Sequence, residues 1–151
     1  LITHEMDVIK HICHHVAVID QGHIVEQDSV IDLFIHPDHH VTKRFVESYM
    51  GLQLPENLQQ NLQAVSNETT LPVLKLAFRG GGALKPLISQ LIEHCHTSAN
   101  ILLANIQVIQ QETMGVTVLM LQNPKSEQMA IEFLRKQGVI VEVLGYVNPV
   151  Y

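Results

Sequence analysis

Histidine supplies most of the side chains in this chain that could do chemistry near neutral pH, and most of its ten histidines precede residue 51. Imidazole titrates between about pH 5 and 8, ligates metals, and in its neutral form donates one hydrogen bond and accepts another. His11, His14 and His15 share one stretch, and His36, His39 and His40 share a second. Two histidines one helical turn apart can hold Zn²⁺. However, HEMDVIKH lacks the H-E-x-x-H spacing, and no cysteine or acid completes an obvious ligand set. We read both clusters as solvated surface residues and expect no metal, with a histidine-based metal-binding protein as an alternative. His4 is set apart by its place. Leu1 and Ile2 read as the tail of a strand, and Thr3 to Lys10 reads as the start of a helix, so His4 stands at a strand-to-helix junction. Cys13 and Cys95 lie far apart within apolar patterns and are expected as buried free thiols.

Composition bounds what these residues can serve. A chain of 151 residues makes one domain or two small ones. Its formal charge of -6 argues against nucleic acid as a partner, because phosphate binding needs a basic surface. No apolar run approaches the ~20 residues of a membrane span, and the first residues carry histidine and acids instead of a signal peptide's basic and apolar stretches. A soluble chain is expected. It does not begin with Met, which suggests a fragment or a processed form.

The elements that must position the histidines fall into three stretches. In residues 1–50, Met6, Ile9 and Cys13 have helical spacing, VAVID and HIVE form a hairpin about Asp20-Gln21-Gly22, and Ser29 with Asp32 starts a helix. Thr42 to Met50 forms another helix. Val16, Val18 and Phe34 expect apolar neighbours from outside this stretch, such as a second subunit. Residues 51–70, rich in Gln and Asn, read as a linker with room for a short helix.

Residues 71–151 are more regular. LKLAF alternates, and a helix follows with Leu84, Leu87, Ile88, Leu91, Ile92 and Cys95 on its apolar face. NILLANIQVI alternates with Leu102, Ala104, Ile106 and Val108 toward the core. Glu112 to Gly115 reads as a turn and VTVLML as a strand. Asn123-Pro124 starts a helix that ends at Gly138, and VIVEVLGYV is the last strand. The order β-α-β-β-α-β predicts an α+β, ferredoxin-like domain with two helices on one face of an antiparallel sheet. The other face, with Lys75, Arg79, Asn105, Gln107, Glu142 and Tyr146 among Ile101, Leu103 and Leu144, is mixed and expects partial cover.

His4 in the sequence THEMD, the spaced hairpin VAVIDQGHIVEQDS and the segment IHPDHHVTKRFV together resemble the end of an ABC transporter nucleotide-binding domain. That resemblance implies that His4 is the switch histidine, which reaches the γ-phosphate of ATP. The rest of that machinery is not in the chain: there is no G-x-x-x-x-G-K-[ST] phosphate loop, signature motif or Walker B acid, and Gly80, Gly81 and Gly82 have neither the lysine nor the spacing of a phosphate loop. ATP and Mg are therefore implied for a parent subunit and no cofactor for this chain, which should not hydrolyse ATP.

The second half is similar to the C-terminal regulatory domain of the ATP-binding subunit of bacterial methionine importers, called NIL for the motif that stands here as Asn100, Ile101 and Leu102; the ending VEVLGYV also resembles that family. The extra histidines of HICHHVAV depart from it. The resemblance implies a remnant of the ABC domain over residues 1–50, a linker over 51–70 and the NIL domain over 71–151. It also implies a homodimer, methionine as ligand, a membrane permease as partner of the parent, and a place on the cytoplasmic face of the inner membrane. Methionine bound from inside would stop uptake (trans-inhibition). Asn100 would hold the ligand's charged end, Ile101 and Leu103 would line a slot for its thioether, and Gly80, Gly81 and Gly82 would let a ligand or partner backbone approach. By position alone, Asn100 also reads as a turn residue, the glycines as an ordinary strand-to-helix turn, and the whole as a dimerisation module without a ligand.

Overall fold

The computed structural model describes residues 1–80 and 85–149. Leu1 and Ile2 are not in a strand; they are 86% and 94% exposed. Helix α1 (Met6–Ile12) buries Ile9. Strands β1 (His15–Asp20) and β2 (His23–Ser29) form the antiparallel hairpin, turned by Gln21 and Gly22 at positive φ. Ser29 then caps α2 (Val30–Ile35): its hydroxyl accepts from the Asp32 N–H at 3.1 Å and donates to the Asp32 carboxylate at 2.7 Å. Helices α3 (His40–Tyr49) and α4 (Glu56–Asn61) complete the first part of the chain.

The second part is the ferredoxin-like unit. Strand β3 (Leu71–Arg79) leads to α5 (Leu87–Cys95), β4 (Ala99–Ile109), β5 (Glu112–Leu121), α6 (Glu127–Lys136) and β6 (Ile140–Val147). The sheet order is β4-β5-β3-β6, with every neighbour antiparallel. Leu74 and Leu76 on β3 and Leu119 and Leu121 on β5 meet Leu91 of α5 and Ala130 and Leu134 of α6, which is the core expected on the helix face.

Three local readings are corrected. The β4–β5 turn is Gln110-Gln111, both at positive φ (50° and 73°), and not Glu112 to Gly115. A two-residue hairpin whose twist matches its strands needs this geometry, so the register imposed it on residues that do not advertise it. Gly115 instead lies within β5 opposite Phe78, where a Cβ would run into the Phe78 ring. Second, β4 is irregular between Ile101 and Leu103, which pair with consecutive residues Leu119 and Val118. The extra residue flips the parity, so Ile101 lies on the helix side and Leu103 on the other. Ile106 and Val108, expected in the core, are 60% and 59% exposed, because the helices do not reach that part of the edge strand. Third, β6 pairs Val143 with Leu74 but Gly145 with Val73, so one extra residue turns Tyr146 to the helix side, where its hydroxyl donates to Glu127 at 2.9 Å. Gly145, at φ 150°, lets the backbone of Gln63 approach and exchange two hydrogen bonds with Tyr146, at 2.8 and 2.9 Å.

The mixed second face of the sheet is covered by the chain's own first part. Val30, Phe34 and Met50 pack with Ala77, Ile109, Met114 and Val116 in one core, and Phe34 is 1% exposed. Its expected outside neighbours are thus residues of the same chain; Val16 and Val18 remain half-buried. Leu54, Leu58 and Leu62, in the stretch read as a linker, cover Leu71, Val73, Val118 and Val147. Polar seams close the contact: Asn105 donates to the Met50 carbonyl, Lys10 to Gln107 at 3.2 Å, Gln110 to the Cys13 carbonyl, and Arg79 pairs with Asp32 at 3.1 Å.

The contact at Gly115 is open to test. Gly115→Ala should destabilise the chain by about 1–3 kcal/mol, the usual cost of overpacking. Combining it with Phe78→Ala should cost less than the sum of the two changes, as read from urea denaturation midpoints.

Candidate functional site

Asn100 stands second in β4, opposite Met120. β4 is an edge strand, so one of its sides has no pairing partner in the sheet. The Asn100 side chain is exposed, and its amide makes no hydrogen bond among the described residues. Asn100 shares its face with Met120 and Val73, and beyond the bulge with Leu103, which is half-buried. Ile101 is 55% exposed on the opposite face. One slot within a single chain therefore cannot be lined by both Ile101 and Leu103. With Ile106 and Val108, Ile101 instead makes an exposed apolar stripe along a strand of 11 residues that has no charged residue.

Gly80 ends the run of β3 at φ 62°, with nothing within 4 Å of a Cβ there among the described residues. It follows Arg79, which lies in register with Met114 and Gln107, whereas Asn100 lies in register with Val73. Six residues of strand separate these two levels, roughly 20 Å at 3.3 Å per residue. Within one chain Gly80 is thus not brought to Asn100. Gly81 and Gly82, like Leu84, lie outside the described residues.

His4 is exposed on the rim of a groove of about 430 Å³ whose lining includes Leu1, Ile2, Val16, Val18 and Phe45. No lysine or arginine lines that groove among the described residues, so it offers a nucleotide's phosphates no cation and the residues present do not fit ATP and Mg. Of the other histidines, His39 and His40 lie together with ring centroids 4.3 Å apart, and His11 and His36 make separate contacts. His11 bonds the Asp7 carbonyl through Nδ1, His39 accepts from the Val41 N–H, and His36 stands 3.4 Å from Asp38. Among the described residues no group of three or more His, Cys, Asp or Glu is placed to hold a metal ion. Both cysteines are free; Cys95 is buried, which pushes its thiol up and away from reactive thiolate, while Cys13 is only half-buried.

Sequence reasoning placed Lys75 and Glu142 on the mixed face but missed what lies over them. Register pairs the two, and α3 brings Glu47 and Lys43 to the same place, at a cleft between the first part of the chain and β3 and β6. The cross-strand pairing of opposite charges was the available signal; the helix lying over it had none. The connection before α3 is held by Glu26. Partial burial alone would raise its carboxyl, but N–H bonds from Asp38 at 2.9 Å and His39 at 3.0 Å, with the Thr42 hydroxyl and His39 nearby, more than offset this and hold it below its ordinary value. Thr42 Oγ1 is itself buried without a hydrogen bond of normal geometry among the described residues, so the two backbone N–H groups are the firm partners.

Comparison with known proteins gives one consistent match. Residues 72–143 match the NIL domain family. The chain is 36% identical over 149 residues to the methionine import ATP-binding protein MetN of Francisella tularensis subsp. holarctica, covering 97% of this chain and 43% of that protein. It is 38% identical over 148 residues to the methionine import ATP-binding protein MetN of Escherichia coli, with the same two coverages. The chain thus spans less than half the length of the curated relatives it matches. Among solved structures it is similar to the C-terminal domain of an ABC transporter ATP-binding protein from Enterococcus faecalis, at 32% identity and a TM-score of 0.44, over 49% of this chain and 83% of that one.

The Glu26 clasp carries a pH dependence. A carboxyl depressed by folding contributes stability that is present above its unfolded pKa and is lost as pH falls through the lower, folded value. Wild-type stability should therefore fall on acidification below about pH 4.5 more steeply than that of Glu26→Gln, measured by denaturation at a series of pH values.

Proposed function

We propose that this chain, which matches the NIL domain family over residues 72–143 and is 36–38% identical along nearly its whole length to methionine import ATP-binding proteins, is the regulatory C-terminal portion of a methionine importer's ATPase subunit, and that it binds methionine to inhibit uptake. The observation that carries the ligand-binding part is Asn100: an exposed amide whose donor and acceptor have no partner among the described residues, on an unpaired edge and beside an uncharged apolar stripe. A methionine needs a polar anchor for its amino-acid end and an apolar surface for its thioether.

The same edge favours a homodimer. A long, uncharged, exposed edge strand invites pairing with another strand, and a second copy is the partner that closes the assembly. Antiparallel pairing of two β4 strands about their middle would set Asn100 of one copy toward the Gly80 end of the other. It would also place Ile101 of one copy near Ile106 and Val108 of its partner. That arrangement supplies, across two chains, the slot that the β4 bulge denies to one.

In the parent subunit, ATP and Mg would be held by residues outside this chain, with His4 contributing from its junction. A permease would be the membrane partner, and the subunit would sit on the cytoplasmic face of the inner membrane. No helix among the described residues is long and apolar enough to cross a membrane. Regulation is then a linked equilibrium. Methionine can stop transport only by binding more tightly to the state in which the ATPase domains are apart.

Two measurements test this reading. Hydrogen bonds to charged groups contribute roughly 1.5–3 kcal/mol. Asn100→Ala should accordingly weaken methionine binding by about one to two powers of ten in calorimetry, with fold and assembly unchanged; unchanged affinity would leave the chain a dimerisation module. Ile106→Lys should convert a dimer to a monomer in light scattering at micromolar concentration without lowering the thermal stability of the single chain, since Ile106 is exposed there.

A further inference from the structure

Residues 53–69 join the first part of the chain to β3, and none of them is fully buried; the buried anchors are Leu52 before them and Thr70 after them, at 7% and 0% exposure. The stretch nevertheless lies on the sheet. Leu54, Leu58 and Leu62 are spaced as on one side of a helix and rest, half-buried, on Val73, Val118 and Val147. Helix α4 has six residues, no side-chain hydrogen bond at its N-cap Pro55 and no buried residue. A helix this short does not hold itself together in water, so the leucine contacts hold it. Just beyond it, Gln63 and Tyr146 exchange two backbone hydrogen bonds, at 2.8 and 2.9 Å, on the edge of β6 that no strand of the sheet pairs. Gly145 admits this latch, since a Cβ there would stand 2.8 Å from the Gln63 carbonyl oxygen. A segment with shallow contacts and one latch, between two buried anchors, opens at lower cost than the core it covers.

Its place gives that opening a use. The face beneath the leucines is the one that carries Asn100: Leu102 and Leu103, just past Asn100, and Met120, opposite it, are half-buried against the same cluster. The exposed Asn100 amide therefore lies at the margin of the covered area. We propose that residues 53–63 are a strap that opens at the Gln63–Tyr146 latch and closes beside Asn100 over a bound methionine, so that the strap limits the ligand's release. This rests on the reading of Asn100 as the methionine anchor. Opening bares Val73, Val118 and Val147 to water, so the closed strap predominates even without ligand. A ligand that touches the strap only when it is closed shifts the population further toward that state, and it leaves only as often as the strap opens.

The test is amide hydrogen exchange of the whole 151-residue chain, read residue by residue by NMR. Without ligand, the Leu58, Gln59, Gln63 and Tyr146 amides, all bonded within the strap or across its latch, should exchange together, at least about a hundredfold faster than the amides that pair β3 with β5. Saturating L-methionine should slow all four by about tenfold or more. Gln63→Pro removes one latch donor, and Leu62 already has the extended backbone that a following proline demands (φ -68°, ψ 126°). It should speed exchange at Leu58, Gln59 and Tyr146, leave the β3–β5 amides at their wild-type rates, and raise the methionine dissociation rate about tenfold. Leu58→Ser, which weakens the strap without touching the latch, should do the same and carries the test if Gln63→Pro fails to fold. Asn100→Ala should leave the ligand-free exchange as it is and remove the effect of methionine. Exchange at the four amides as slow as in β3 and β5 overturns the strap. Methionine that binds but alters neither their exchange nor, in Gln63→Pro and Leu58→Ser, its own dissociation rate overturns this inference alone. A folded chain that binds no methionine overturns it together with the reading of Asn100.

Discussion

A four-stranded antiparallel sheet with apolar residues on both faces has to be covered twice. The two helices of a ferredoxin-like unit cover only one face. Here the second cover is the packing of Phe34, Val30 and Met50 onto Ala77, Ile109, Met114 and Val116, and the rest of the architecture depends on it. Fully burying a large apolar side chain contributes roughly 1.5–3 kcal/mol, and this contact buries several at once. It makes the first fifty residues and the sheet one packed body, and the leucines that follow α3 extend the cover to the other end of the same face.

That packing decides which polar groups meet. Lys75, Arg79, Asn105 and Gln107 would lie along an open sheet face if nothing covered it. With α1 to α3 in place, each acquires a partner from the first part of the chain: Glu47, Asp32, the Met50 carbonyl and Lys10. The contact is thus apolar in the middle and polar at its margin, which fixes its register as well as its existence. A signal that altered β4 would reach the first part of the chain through these bonds, because Asn105 and Gln107 belong to the same strand as Asn100. In the proposed regulation, these bonds would be the physical path from Asn100 to the first part of the chain.

The two irregularities in the sheet have separate consequences. The extra residue in β4 divides Ile101 from Leu103 and leaves an apolar stripe on an edge, which favours a site completed by a second chain over a pocket within one. The extra residue in β6 turns Tyr146 toward α6, where partial burial and the Glu127 carboxylate both raise its phenol. At the same point Gly145 admits the backbone of Gln63, so the segment after α4 is tied to the sheet edge.

Periodicity alone determined the class of fold. Alternation in residues 74–78 and 116–121, helical spacing from Leu87 to Cys95, and the capping signals at Ser29 and Asn123 are local properties, written in side chains that are neighbours along the chain. The motif residues Asn100, Ile101 and Leu102 were equally legible, as was the resemblance they carry. Parity beyond a bulge was not, since one unpaired residue reverses every later assignment and no side chain in ANILLANIQVI announces it. The Gln110-Gln111 turn was hidden for a related reason: the pairing of β4 with β5 forces positive φ on residues that do not prefer it. What covers the sheet's second face, and hence the cleft at Lys75, was decided by tertiary structure alone. Those contacts join residues tens of positions apart, and the apolar faces of α2 and of the sheet each show only that they need a partner, never which one.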